Sequence, residues 1–115
     1  MRTRVNYDVR KLDAEVLTFG ATDTSDTFSI THTGFLAALI VKVSNLTNSV
    51  TATVAMADSD GNEIISQATI AENATTVVHF DFGYAPCYGA MTFTVTLSGV
   101  PGGSGGTVTV TPIVM

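Results

Sequence analysis

The chain has 115 residues and a formal net charge of −5, with 45% hydrophobic and only 13% charged residues. A chain of this length can bury enough apolar surface to form the core of one domain without a metal site or disulfide bonds. The high apolar content excludes a wholly disordered chain. The acidic balance argues against a nucleic-acid partner, which would need a basic face. Because charged residues make up about a quarter of an ordinary globular protein, we expect other protein to cover part of this surface.

The N-terminal segment differs in charge from the rest of the chain. No Lys or Arg follows Lys42. We therefore predict two units, an N-terminal arm or edge segment over residues 1–20 and a folded domain over 21–115. Residues 8–17 fit a short helix or a strand equally. The arm could dock on an acidic partner through its basic side chains, or it could add a strand to its own domain. Four of the five basic side chains lie in the first eleven residues, namely Arg2, Arg4, Arg10 and Lys11.

Beyond this segment, apolar and polar residues alternate with period two, which is typical of half-buried strands. Threonine and valine dominate, and both favour sheets over helices. Nothing in the chain predicts a long amphipathic helix. The predicted strands are 27–31, 35–43, 49–57, 63–70, 75–82, 90–98 and 107–114.

Turn-forming residues separate these strands. The stretch 58–62, Asp-Ser-Asp-Gly-Asn, predicts a hairpin turn in which Gly61 is free to take positive φ. The glycine-rich stretch 100–106 predicts a flexible connection between the last two strands, and Pro112 indicates an edge or a bulge. Short strands at this spacing predict an all-β fold, a single antiparallel β-sandwich of the jelly-roll or immunoglobulin-like kind with an N-terminal arm.

The chain offers few groups for catalysis or metal binding. Residues 58–63 begin like a calcium loop, but Glu63 and Thr69 stand where an EF-hand needs glycine and a bidentate glutamate. No glycine-rich loop precedes a helix to hold a phosphate. We therefore predict a protein that is not an enzyme and that has no cofactor or metal site. The histidines and the cysteine have no partners at zinc-ligand spacing, and they are His32, His79 and Cys87.

Two apolar features favour interaction with other protein. The strand 35–43 is apolar on both faces, with Phe35 predicted inward and with Leu36 and Ile40 on the opposite face. A strand of this kind is covered on both faces, here by the N-terminal segment or by a second subunit, and we predict a dimer or trimer. Tyr84 and Tyr88 flank a proline, and such tyrosines suit protein contacts or sugar stacking, although they could simply cap the core. The candidate interface residues are Arg2, Arg4, Arg10, Lys11, Leu36, Ile40, Tyr84 and Tyr88.

Residues 27–115 resemble the small β-rich proteins encoded in structural gene clusters of tailed bacteriophages. The resemblance lies in residues 34–54, in Asp-Ser-Asp-Gly-Asn-Glu at 58–63, and in the ending Leu-Ser-Gly-Val-Pro-Gly-Gly-Ser-Gly-Gly-Thr-Val-Thr-Val at 97–110. It implies a virion structural protein, above all a capsid decoration (cement) protein that binds and stabilises the outside of the capsid. It brings no catalytic residues with it. The alternatives are a head-tail connector or tail accessory protein and, from another class, a carbohydrate-binding module that uses Tyr84 and Tyr88.

The expected partners follow from these observations. They are the major capsid protein or another virion protein and further copies of the chain, with no nucleic acid and no membrane. The first residues lack the apolar stretch of a signal peptide, and the longest apolar run, 35–41, is too short to cross a bilayer. We therefore expect synthesis in the host cytoplasm and a final location on the capsid surface.

Overall fold

The computed structural model describes residues 9–80 and 83–115, and within these ranges it contains strands and no helix. Every strand pairing is antiparallel. The prediction of an all-β antiparallel fold is therefore confirmed. The strands are β1 Arg10–Lys11, β2 Glu15–Phe19, β3 Ser25–Val43, β4 Ala52–Ala57, β5 Glu63–Ile70, β6 Ala74–Val78, β7 Ala85–Leu97 and β8 Gly106–Val114.

The 19-residue strand β3 organises the sheet. The strand order is β1-β8-β3-β7-β4-β5, with β2 also on β8 and β6 also on β3. The part of β3 from Leu36 onward lies between β8 and β6, whereas Ser25 to Leu36 pairs with β7. The two predicted strands 27–31 and 35–43 are thus one strand. They join through Gly34, where φ is +143° and a Cβ would lie 2.5 Å from the backbone oxygen of Met115.

One cluster of buried side chains, drawn from seven of the eight strands, lies inside the folded sheet. Phe28 of β3 stacks on Phe93 of β7 with 4.8 Å between the ring centroids. The alternation predicted for the three clearest strands is confirmed, because all their inward residues are buried. They are Val50, Ala52, Val54, Met56, Met91, Phe93, Val95, Leu97, Val108 and Val110.

A β-bulge in β3 changes which side chains enter the core. Leu36 pairs with Val114 and Ala38 with Ile113, so Ala37 is an extra residue on β3. As a result Leu36 is fully buried, while Phe35 is 47% exposed. The prediction that Phe35 faces inward and Leu36 outward is therefore wrong, because strict alternation has no place for an extra residue.

The described part of the N-terminal segment belongs to the sheet. Residues of β1 and β2 pair with β8, and Leu17 and Phe19 are buried in the core. Between residues 9 and 19 the chain forms strands and not a helix. Pro112 lies on a strand with neighbours on both sides and is paired with Leu39 next to the bulge, so the bulge alternative is the correct one.

The two predicted turns differ in how they are held. Asp58 accepts hydrogen bonds on its carboxylate from the backbone N–H groups of Asp60 and Asn62, and Gly61 has φ +83°. The connection from β7 to β8 is fixed at its start, where the Pro101 carbonyl accepts from Asn48 N–H at 2.9 Å. The first turn is thus fixed within itself, and the second is fixed against another loop.

Candidate protein-binding surface

The face of β3 opposite the core carries exposed aromatic and apolar side chains. In an antiparallel sheet, directly paired residues lie on the same face. Phe35 is paired with Pro86, and Thr33 is paired with Tyr88. These side chains therefore stand together on one surface, which we call the outer face.

An aromatic cluster forms the centre of the outer face. Phe35, Tyr84 and Tyr88 are 47%, 50% and 65% exposed. The rings of Phe35 and Tyr84 touch at a centroid distance of 6.3 Å with an interplanar angle of 52°. Large rings held on paired strands bring a wide contact area with little loss of conformational freedom, which is why tyrosine and phenylalanine are enriched in protein interfaces.

The outer face continues across the neighbouring strands. Beyond the bulge, Ile40 is half-buried and is paired with Val77, which is 48% exposed. In the other direction, Ile113 is paired with Ala38 on one side and with Lys11 on the other. An apolar surface bordered by a cation thus extends from the aromatic cluster to the sheet edge.

Four of the predicted interface residues lie on or beside this surface: Lys11, Ile40, Tyr84 and Tyr88. Leu36 does not, because it is fully buried in the core. Arg10 is exposed, but its register with Val114 places it on the opposite face of β1 from Lys11. Arg2 and Arg4 lie outside the described residues. Sequence reasoning missed Phe35 and Val77 as surface residues. The only signal for Phe35 was that its strand is apolar at nearly every position, and such a pattern does not decide on which face of the sheet Phe35 lies.

An open cleft of about 380 Å³ adjoins the aromatic cluster. It runs between β5 and the segment that leads into β7. Tyr84 belongs to both features, and Pro86, the strand partner of Phe35, also lines the cleft. Ser66, Gln67 and His79 add polar groups to its wall. The cleft therefore offers hydrogen-bonding groups next to an aromatic surface.

The titratable groups of the described residues do not assemble into a reactive centre. Burial raises the pKa of the Cys87 thiol, which keeps it protonated. His32 Nε2 lies 3.2 Å from the Met115 backbone oxygen, to which it donates. Within residues 9–80 and 83–115, no three His, Cys, Asp or Glu side chains are grouped so as to hold a metal ion. The same residues include no helix that could span a membrane.

Comparison with known proteins gives no family. No protein-family model matches the chain, and no curated protein matches it. Its structure is similar to a chain of the infectious bursal disease virus Gx strain, with a TM-score of 0.42 and 15% identity over 94% of this chain and 33% of that chain. A VP2 subviral particle of infectious bursal disease virus gives a TM-score of 0.38 and 12% identity over 92% and 32%. The chain spans about a third of the length of these structures, and similarity this distant carries no conclusion about function.

Proposed function

We propose that this protein is a non-enzymatic virion component, specifically a decoration protein that binds the outside of a capsid through its outer face. The observation that carries the proposal is the exposed aromatic cluster of Phe35, Tyr84 and Tyr88. The sequence resemblance to small tailed-phage structural proteins supplies the class of partner. The low charge content, 13% of residues, fits a surface that is partly covered in its working state.

The energetics require a contact wider than the aromatic cluster. A Phe or Tyr side chain buries roughly 150–250 Å², so three half-exposed rings would add about 300 Å² on docking. At roughly 25 cal/mol per Å² this is about 8 kcal/mol before the loss of translational and rotational freedom, which alone is about 4–15 kcal/mol. Ile40, Val77 and Ile113 extend the surface in the direction that such an interface needs.

Docking would stabilise a capsid by linkage alone. A ligand that binds the assembled state and not the separated subunits stabilises assembly in proportion to the logarithm of its saturation. Lys11, together with Arg2 and Arg4 of the N-terminal segment, would add contacts to an acidic partner. Exposed ion pairs contribute roughly 0–1 kcal/mol each and are screened by salt, so these contacts would tune binding more than drive it.

The rivals within the virion are a head-tail connector and a tail accessory protein, which would use the same surface on a different partner. One observation favours a carbohydrate-binding module. Tyr84 belongs both to the aromatic cluster and to the cleft that contains Ser66, Gln67 and His79, so a sugar ring could stack on tyrosine and form hydrogen bonds in the cleft. The absence of tryptophan counts against this alternative.

Co-sedimentation tests the proposal. Shells are assembled from the major capsid protein of the virion to which this protein would belong, and the purified protein is added to them. We expect wild type to sediment with the shells and Tyr88→Ala and Phe35→Ala to bind at least tenfold more weakly. Val16→Ala is the matched control. Val16 is 58% exposed on β2, and the spacing of residues and strands places it roughly 30 Å from the aromatic cluster.

Two results would overturn the decoration role. One is equal binding by wild type and both aromatic variants, and the other is no binding to shells by wild type. A glycan array run with the same proteins separates the carbohydrate alternative, because only that alternative predicts sugar binding that Tyr84→Ala abolishes.

A further inference from the structure

The first half of β3 has an edge to which no strand of the described residues is paired. Ser25 to Leu36 pairs with β7 on one side, but β8 reaches β3 only from Leu36 onward. The outermost contact on that side joins Phe35 and Met115 through two backbone hydrogen bonds of 2.9 Å. Toward Ser25, therefore, one edge of β3 remains open in the part of the chain that the structure describes.

The alternation of hydrogen bonds identifies the groups on this edge. In antiparallel pairs, successive residues direct their backbone N–H and C=O groups to opposite sides. Thr24 bonds toward β7 through Leu97, and Phe35 bonds away from β7 through Met115. Odd-numbered residues therefore direct their backbone groups to the open edge, and these are Ser25, Thr27, Ser29, Thr31 and Thr33.

This edge carries few of the features that discourage pairing with another chain. Natural edges are protected by charges, prolines, bulges or short length. β5 has two register shifts, the open stretch of β7 contains Pro86, and the β1 and β2 edge is broken at residues 12–14 and carries Glu15. By contrast, residues 25–33 of β3 form a regular strand with no Lys, Arg or Pro, and Asp26 is its one acidic residue.

We propose that a second copy of this chain pairs with the open edge, antiparallel and two-fold symmetric, with Ser29 opposite Ser29 of the other copy. This register is the one that uses all five open residues, since it sets Thr27 against Thr31 and Ser25 against Thr33. The proposed pairing does not depend on the capsid role. It goes beyond that role because it names the partner, a second copy of the chain, and the strand edge that forms the contact.

The side chains on the core-facing side of β3 fit the same register. It sets Phe28 of one copy opposite Ile30 of the other, in a non-hydrogen-bonded pair whose side chains lie close together. Both residues are only partly buried in the single chain, so each has apolar area left to cover. It also sets Asp26 opposite His32, which pairs an acid with an imidazole at both ends of the contact.

One local hydrogen bond must change for this pairing to form. The Asp26 carboxylate accepts from the Thr27 backbone N–H at 2.8 Å, which occupies an edge donor. In the paired state Thr27 N–H would donate to the other copy, and Asp26 would be released toward His32 of that copy. The exchange leaves no polar group without a partner.

Proline substitution tests the contact without removing an internal backbone hydrogen bond. The Ser29 N–H points to the open edge, so Ser29→Pro removes that donor and blocks pairing while the ladder to β7 remains. Ser29→Ala is the matched control, because it keeps the N–H and also loses the 3.3 Å contact between Ser29 and Thr92 hydroxyls. Light scattering at micromolar concentration should find dimers for wild type and Ser29→Ala and monomers for Ser29→Pro.

Cysteine cross-linking tests the register and decides the matter if Ser29→Pro fails to fold. Opposed residues of a hydrogen-bonded pair have Cα atoms about 5.5 Å apart, within disulfide reach. Oxidised Ser29→Cys should therefore form a covalent dimer. Ser25→Cys should not, because the two copies of residue 25 would lie roughly 27 Å apart. The natural Cys87 is buried and does not compete.

Two outcomes would overturn the proposal. The first is a wild-type protein that is monomeric at these concentrations. The second is a dimer that persists in Ser29→Pro while Ser29→Cys fails to cross-link, because that combination would place the contact elsewhere. A chain lacking residues 1–8 then identifies one cause of the first outcome. If wild type is monomeric and only the truncated chain dimerises, the edge is taken by the chain's own N-terminus.

Discussion

Replacing the neighbours Leu36 and Phe35 by alanine, one at a time, tests the bulge that defines the outer face. Leu36 is fully buried, and leucine-to-alanine changes at such positions cost about 3–4 kcal/mol. Phe35 is 47% exposed, so truncating it should cost only about 1 kcal/mol, half or less of the value for full burial. The structure thus ranks the smaller side chain as the more important for folding.

The melting temperature turns this ranking into a measurement. With an unfolding entropy of about 2.1 cal/mol/K per residue, a chain of this length loses about 4 °C for each kcal/mol. Leu36→Ala should therefore lower the Tm by about 12–16 °C and Phe35→Ala by about 4 °C. Circular dichroism on heating measures the Tm, and urea unfolding with unchanged m-values confirms that only stability has changed. A larger loss for Phe35→Ala than for Leu36→Ala would refute the bulge.

Three further predictions concern single groups. Hydrogen bonds within the turn lower the pKa of Asp58 below its ordinary 3.8, so the excess Tm of wild type over Asp58→Asn should shrink as pH falls below that value, whereas a constant excess would contradict it. Gly105→Ala should destabilise far more than Gly61→Ala in urea unfolding, because both have positive φ but only at Gly105 would a Cβ meet the Phe19 carbonyl, and equal losses would count against this contact. Cys87, buried with a raised pKa, should react with a thiol reagent only on unfolding, and fast labelling of the native protein would show the burial to be wrong.

The sequence by itself determined the class of fold and most of the core. Alternation of apolar residues with threonine located Met91, Phe93 and Val95 on the inner face, and they are buried. This worked because side chains on a regular strand alternate strictly, so one inward residue fixes the facing of all the others. The turn at Asp58 was equally readable, since its Asp, Gly and Asn form hydrogen bonds within a few residues.

Only the tertiary structure decided the facing of β3 and the make-up of the outer face. One extra residue at Ala37 reverses the alternation, and it is recognisable only from the pairing of β3 with β8, more than 70 positions along the chain. The sequence pattern named Tyr84 and Tyr88 but could not join them to Phe35, because that contact depends on the register between β3 and β7. The open edge of β3 is decided in the same way, since which strand stops short of its neighbour depends on long-range pairing that no local pattern encodes.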